Sequence, residues 1–254
     1  MLVTVAGPPK AATDLTKRIV LSIVEHVSIG GDPRAKLSQS VAAKWLPKPN
    51  SLGSRYPNLD ESPLLGDDYW YVVHAHDFHM MWSGYESLLD EGRKGRLKII
   101  YPTRDLRDSI ESYTRPSGVG FRRTVEFYAK LCYPLFPWIE GQMGSTWVLE
   151  RPYEECTLDL VRNVSEIATF MGVTLTHEEV CGVADAHTKD KAPNGKVGPY
   201  GGVSGTWHRA GFSRAELAEI EGLRGGWNAR MGYQNSLSDD VIRRVANSQT
   251  TCMF

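Results

Sequence analysis

The 254-residue sequence has only four cysteines, Cys132, Cys156, Cys181 and Cys252, and no two form a C-x-x-C pair. Such scattered thiols argue against zinc and against a disulfide framework, and they fit a reducing, cytoplasmic setting. Charge of one sign is also missing: 29 Lys and Arg face 30 Asp and Glu, a net of −1. No global basic field invites nucleic acid. No apolar run is long enough to cross a bilayer, and Met1–Gly7 lacks the basic flank of a signal peptide, so no membrane partner is expected. Internal repeats and domain linkers are absent. The match of Asn163-Val164-Ser165 to a glycosylation acceptor falls inside a helical pattern and reads as chance.

What remains is the patterning of one α/β domain spanning residues 1–254, with a central, mainly parallel sheet flanked by helices. Leu2–Ala6 reads as a short apolar strand, Gly7–Thr13 as a tight loop, and Thr13 or Asp14 as the cap of a helix carrying Leu15, Ile19, Ile23 and Val27. Gly30–Gly66 is an irregular excursion with one short helix near Ser40–Trp45. Asp67–Asp77 returns to strand character and ends in His74-Ala75-His76; Phe78–Glu91 is helical. Arg96–Thr103 is a strand, followed by a helix that Asp105 caps and that ends before Pro116. Phe121–Tyr133 is helical, and Pro134 and Pro137 kink or end it. Thr146–Leu149 is a strand. Thr157 caps a helix closed by Gly172, and two capping boxes begin at Thr176 and Ser213. Residues 188–211, rich in glycine and without periodicity, read as a mobile loop or lid, and 236–254 as a C-terminal tail.

Parallel sheets bind ligands beyond their C-terminal strand ends. Three candidates lie at such ends: the loop with Lys10, the His74/His76 pair, and Arg104. Loop amides and Lys10 at a helix N-terminus suit a phosphate. Arg104 with Ser112, two turns into the following helix, offers a second anion site. One ligand with two separated phosphates satisfies both. The first loop lacks the G-x-x-x-x-G-K-S/T pattern, and no aspartate ends a strand to hold magnesium. A histidine at the intermediate strand end suits a general base near neutral pH.

These residues resemble the sulfotransferases that use 3′-phosphoadenosine 5′-phosphosulfate, whose fold is P-loop NTPase-like. Pro9-Lys10-Ala11-Ala12-Thr13 is similar to the family's 5′-phosphosulfate loop, P-K-S-G-T-T. Ile100–Asp108 through Ser112-Tyr113 is similar to its 3′-phosphate motif, with arginine and serine eight apart. Leu149–Glu155, with the helix to Gly172, resembles its Y-E-D…F-L-G segment, and Gly205-Thr206-Trp207 its late G-D-W. The resemblance covers nearly the whole chain. Departures concentrate in the first loop, where Ala11 and Ala12 replace serine and glycine and Asp14 replaces a second threonine. The late R-K-G triplet is replaced by Tyr200-Gly201-Gly202, leaving Lys196 or Arg209 to supply charge.

The resemblance implies in-line transfer of a sulfuryl group to an acceptor hydroxyl or amine, with no metal and adenosine 3′,5′-bisphosphate as product. By the same resemblance His76 is the base and Lys10 neutralises the leaving phosphate oxygen. Ala11, Ala12, Thr13, Asp14 and Gly202 join the nucleotide site, Arg104 and Ser112 take the 3′-phosphate, and Tyr153 frames the nucleotide. A small-molecule acceptor is expected rather than a glycan, and a homodimer is compatible with the family. Two alternatives stand beside this reading: a nucleotide-binding homologue impaired in catalysis, and a small-molecule kinase. Read without the family, His74/His76 could serve a metal, Ser112 could be an ordinary helix serine, and Trp207 packs.

Overall fold

A computed structural model describes residues 1–29, 71–75, 85–132, 135–188, 205–223 and 226–234. The described strands are β1 (Leu2–Ala6), β2 (Tyr71–Ala75), β3 (Leu97–Thr103) and β4 (Val148–Pro152). They form one sheet in the order β2-β1-β3-β4, and every pairing is parallel. β1 sits centrally, with Leu2 opposite Tyr71 on one side and Leu97 on the other.

Alternation along the strands gives each face its own core. Val3, Val5 and Ile100 pack with α1 (Thr13–Ile29), α7 (Leu160–Met171) and α8 (His177–Ala186) through Leu15, Ile19, Ile23, Val164, Ile167 and Val183. On the opposite face Leu2, Leu97, Ile99, Tyr101 and Val148 meet α3 (Leu106–Ser117), α4 (Phe121–Cys132), α9 (Arg214–Gly222) and α10 (Trp227–Arg230) through Ile110, Val125, Tyr128, Ile220 and Trp227. Each such aliphatic side chain removed from water contributes about 1.5–3 kcal/mol before chain entropy is counted. Three further helices lie among the described residues: α2 (Tyr85–Arg93), α5 (Leu135–Glu140) and α6 (Tyr153–Leu158). The molecule is thus the single α/β domain the sequence predicts, with helices on both sides of a parallel sheet.

Several boundaries differ from expectation. Thr13 and Asp14 are the first residues of α1 rather than its cap. The helix after Arg104 does not stop before Pro116: α3 runs through it to Ser117, and Gly118 at φ 63° in the left-handed region ends it. Thr157 caps nothing; it lies inside α6, its hydroxyl donating to Tyr153 O (2.9 Å), and Asp159 caps α7 through Arg162 N. The fourth strand is Val148–Pro152 rather than Thr146–Leu149. Pairing with β3 carries the ladder through Glu150 and Arg151, because Glu150 accepts from Thr103 and Arg151 is held by Asn163, Glu155 and Glu166. Asn163 is fully buried, so the glycosylation match is indeed chance. The Gly30–Gly66 excursion, residues 189–204 of the expected lid and the 236–254 tail lie outside the described residues.

Candidate functional site

The first loop is shaped by close approach to β3. A Cβ on Gly7 would stand 2.5 Å from Pro102 O and 3.0 Å from the Thr13 side chain, so only glycine fits. Beyond it, Lys10 and Ala12 both take positive φ, 66° and 65°. Buried Ala11 donates its amide to Pro8 O (3.2 Å). Two loop carbonyls are tied to other elements: Tyr128 Oη donates to Pro9 O (2.8 Å), and Arg104 Nη1 donates to Lys10 O (2.9 Å). The loop leads directly into α1, a 17-residue helix. Its first-turn N–H groups lack intrahelical acceptors and carry the positive end of the helix dipole. Thr13 is buried beside them. The Asp14 carboxylate, adverse to an anion, pairs with Arg18 Nε at 3.1 Å, one turn along the helix.

The second junction is built around Arg104, which is 2% exposed. Its guanidinium lies over the Tyr153 ring, 3.9 Å from the centroid, a cation–π contact at the start of α6. Burial pushes the Tyr153 phenol up, against the lowering effect of Arg104. Of the Arg104 donors only Nη1 is engaged; Nε and Nη2 are buried without a partner among the described residues. A buried cation with two unmet donors is costly in an isolated protein, and it is the arrangement that an incoming oxyanion completes. Ser109, also buried, has a hydroxyl without a partner among the described residues one turn into α3, and its carbonyl accepts from Tyr128 Oη (3.1 Å).

The neighbouring charges are all engaged. Asp105 caps α3 by accepting from Arg107 N (2.9 Å) and also receives Asn228 Nδ2 (3.0 Å). Asp108 accepts from Gly205 N (2.7 Å), Thr206 Oγ1 (3.1 Å) and Trp207 N (2.9 Å), seating the short 3-10 turn Thr206–Arg209 on α3. Trp207 does pack as expected, with the Arg107 guanidinium 4.1 Å above its ring. Midway along β4, burial raises the pKa of the Glu150 carboxyl, while the Thr103 hydroxyl (3.3 Å) opposes that shift.

Lys10, Ala11, Ala12, Thr13, Asp14, Arg104 and Tyr153 therefore converge where β1 and β3 end. Ser112 stands half-buried two turns into α3. His76 and Gly202 lie outside the described residues; the backbone of His74 is opposite Val5. Tyr128 and Ser109 were not singled out by sequence reasoning. Tyr128 reaches the loop across 119 residues, which no local pattern announces; Ser109, in the Arg104 motif itself, was the legible one. Among the described residues no three His, Cys, Asp or Glu side chains are grouped to hold a metal, and no helix is long and apolar enough to cross a membrane.

No family model matches the chain, and no curated protein matches it in sequence. Solved structures do. Retinol dehydratase in complex with androsterone and the inactive cofactor PAP aligns over 93% of this chain and 82% of its own, with 18% identity and a TM-score of 0.56. Retinol dehydratase with retinol and PAP aligns with a TM-score of 0.55 at 18% identity over the same shares. Mouse sulfotransferase SULT7A1 complexed with PAP aligns over 97% of this chain and 88% of its own, with 16% identity and a TM-score of 0.56. The α/β sheet and its helices thus define the sulfotransferase fold. Among the solved proteins that share it, retinol dehydratase and SULT7A1 were both captured with PAP.

Proposed function

We propose that this chain is a sulfotransferase that moves a sulfuryl group from 3′-phosphoadenosine 5′-phosphosulfate to a hydroxyl or amine of a small-molecule acceptor. The observation that carries this reading is Arg104: a buried guanidinium with two unmet donors, bonded to the carbonyl of Lys10. That contact links the two anion sites into one elongated cradle, as a ligand with separated 3′- and 5′-phosphates requires. Arg104, with Ser112, takes the 3′-phosphate above the Tyr153 ring. Ala11, Ala12, Thr13 and Asp14, through backbone amides and the Thr13 hydroxyl, take the 5′-phosphosulfate. Gly202 follows from the family resemblance.

In the transfer the acceptor oxygen or nitrogen attacks sulfur as the bond from sulfur to the bridging phosphate oxygen breaks. Lys10 neutralises the charge left on that oxygen, and His76 removes the acceptor proton. Catalysis is alignment and electrostatic stabilisation. Two of the similar solved structures hold androsterone or retinol, which supports an apolar small molecule carrying a hydroxyl as acceptor.

The test is transfer of labelled sulfate from the donor to a panel of hydroxylated small molecules, with calorimetric binding of adenosine 3′,5′-bisphosphate alongside. Losing even one charged hydrogen bond of Arg104, about 1.5–3 kcal/mol, should weaken bisphosphate binding in Arg104→Ala by at least about tenfold to a hundredfold. His76→Ala should lower turnover roughly 10²–10⁴-fold while bisphosphate affinity holds. Unchanged affinity in the arginine variant would falsify the site. Ala12, held at φ 65° where the family has glycine, favours a second reading: a nucleotide-binding homologue without catalysis. Tight bisphosphate binding with no transfer to any acceptor selects it.

A further inference from the structure

Four ionisable residues crowd the strand–helix junction: Arg104, Asp105, Arg107 and Asp108. Either aspartate is near enough in sequence to pair with Arg104 and cancel it. Neither does. Asp108 is occupied by the Gly205–Trp207 turn. Asp105 is gripped side-on by Arg107, with Nε 2.9 and 3.0 Å from its two oxygens and Nη2 at 2.6 Å. The same guanidinium donates through Nη1 to Glu221 (2.9 Å), whose carboxylate is fully buried, and through Nη2 to Gln234 O (2.7 Å). Burial alone would lower the Arg107 pKa; the hydrogen bonds and charges of Asp105 and Glu221 outweigh it and hold the group above its ordinary value. With both partners ionised, Asp105, Glu221 and Arg107 sum to −1; without the Arg107 charge they would sum to −2, one residue from the Arg104 site.

We propose that Arg107 is a positioning residue for the anion site: by holding the carboxylates of Asp105 and Glu221, it keeps the two open donors of Arg104 available to a phosphate. The inference rests on the reading of Arg104 as a phosphate ligand. It assigns Arg107 a role through charge, which a purely structural buried ion pair does not have. Charge and structure predict opposite signs when a carboxylate is neutralised. Removing the negative charge of Asp105 or Glu221 should improve anion binding even as it weakens the network.

The experiment measures affinity for two probes, adenosine 3′,5′-bisphosphate and inorganic pyrophosphate, by calorimetry at low ionic strength. The variants are Asp105→Asn, Glu221→Gln, Arg107→Met and the double variant Asp105→Asn with Arg107→Met. Asparagine remains a good N-cap, so α3 keeps its start. The two single neutralisations are expected to tighten binding about three- to tenfold, and Arg107→Met to weaken it roughly tenfold, the scale of one unit charge at close range in a partly buried site. The double variant, back at a net of −1, should recover to within a few-fold of the unaltered protein. Weakening in all four variants, without recovery in the double, overturns the proposal. If Arg107→Met does not fold, the sign of the change in Asp105→Asn and Glu221→Gln decides alone. Pyrophosphate binding with this pattern and no bisphosphate binding keeps the inference and removes the nucleotide reading. Bisphosphate binding without the pattern does the reverse, and no binding of either probe removes both.

Discussion

Ala12 occupies a conformation that a side chain resists. At φ 65° its Cβ crowds the following carbonyl, a penalty of about 1–2 kcal/mol that glycine avoids. Ala12→Gly should therefore stabilise the fold by up to about 1 kcal/mol once the extra chain entropy of glycine is subtracted, raising the melting temperature about 2–4 °C for a chain of this size. A scanning-calorimetry midpoint that falls or stays put contradicts the strain argument. Residue by residue, the candidate site is legible where chemistry is local. A lysine in a strand–helix loop and an arginine one residue before an N-cap aspartate announce themselves. The left-handed Ala12 did not, because nothing in an alanine codon position reveals its φ. Nor did the Tyr128 hydroxyl, whose acceptors are set by how α4 packs.

Helices and strands were legible in proportion to their stop signals. Both capping boxes formed, Thr176 with Glu179 and Ser213 with Glu216, and Gly172 closes α7 at φ 77°. Pro116 misled because a proline in the last turn forfeits one hydrogen bond without ending the helix, which runs on to the glycine stop at 118. The strand through Glu150 and Arg151 was missed because its polar side chains are satisfied by partners distant in sequence. The packing of α8 on α1 carries a titration. His187, at the end of α8, lies 2.9 Å from the Ser22 hydroxyl, and burial, with Arg18 nearby, lowers its pKa below 6.5. A histidine depressed on folding contributes stability that is fully present above its unfolded pKa and is lost as pH falls from about 6.5 through the folded value. The urea midpoint should therefore decline as pH drops from about 7 to about 5, and His187→Gln should flatten part of that slope. An equal slope in the variant removes His187 as the cause.

The whole molecule is a sheet whose core was readable on both faces, because the alternation in β1 and β3 and the helical stripe of α1 point to the same two layers. The proposed nucleotide site joins the β1 and β3 ends to α1, α3 and α6, so ligand binding should register as global stability. At a hundredfold excess over its dissociation constant, adenosine 3′,5′-bisphosphate should add about 2.7 kcal/mol, or roughly 5–10 °C in melting temperature. Arg104→Ala should lose most of that gain, and a chelator should leave it intact. A gain in the arginine variant equal to that of the unaltered protein would place the ligand elsewhere.

The central place of β1 has one more consequence, for synthesis. All five of its residues are buried in the finished sheet, yet its partners begin at Tyr71 and Leu97. At about 5–20 residues per second, Leu97 is joined to the chain roughly 5–20 s after Leu2. Until β2 is joined the middle strand of the future domain is an apolar ribbon with both edges open, and until β3 is joined one edge stays open, so the ribosome-bound chain has most need of a chaperone before β3 is made.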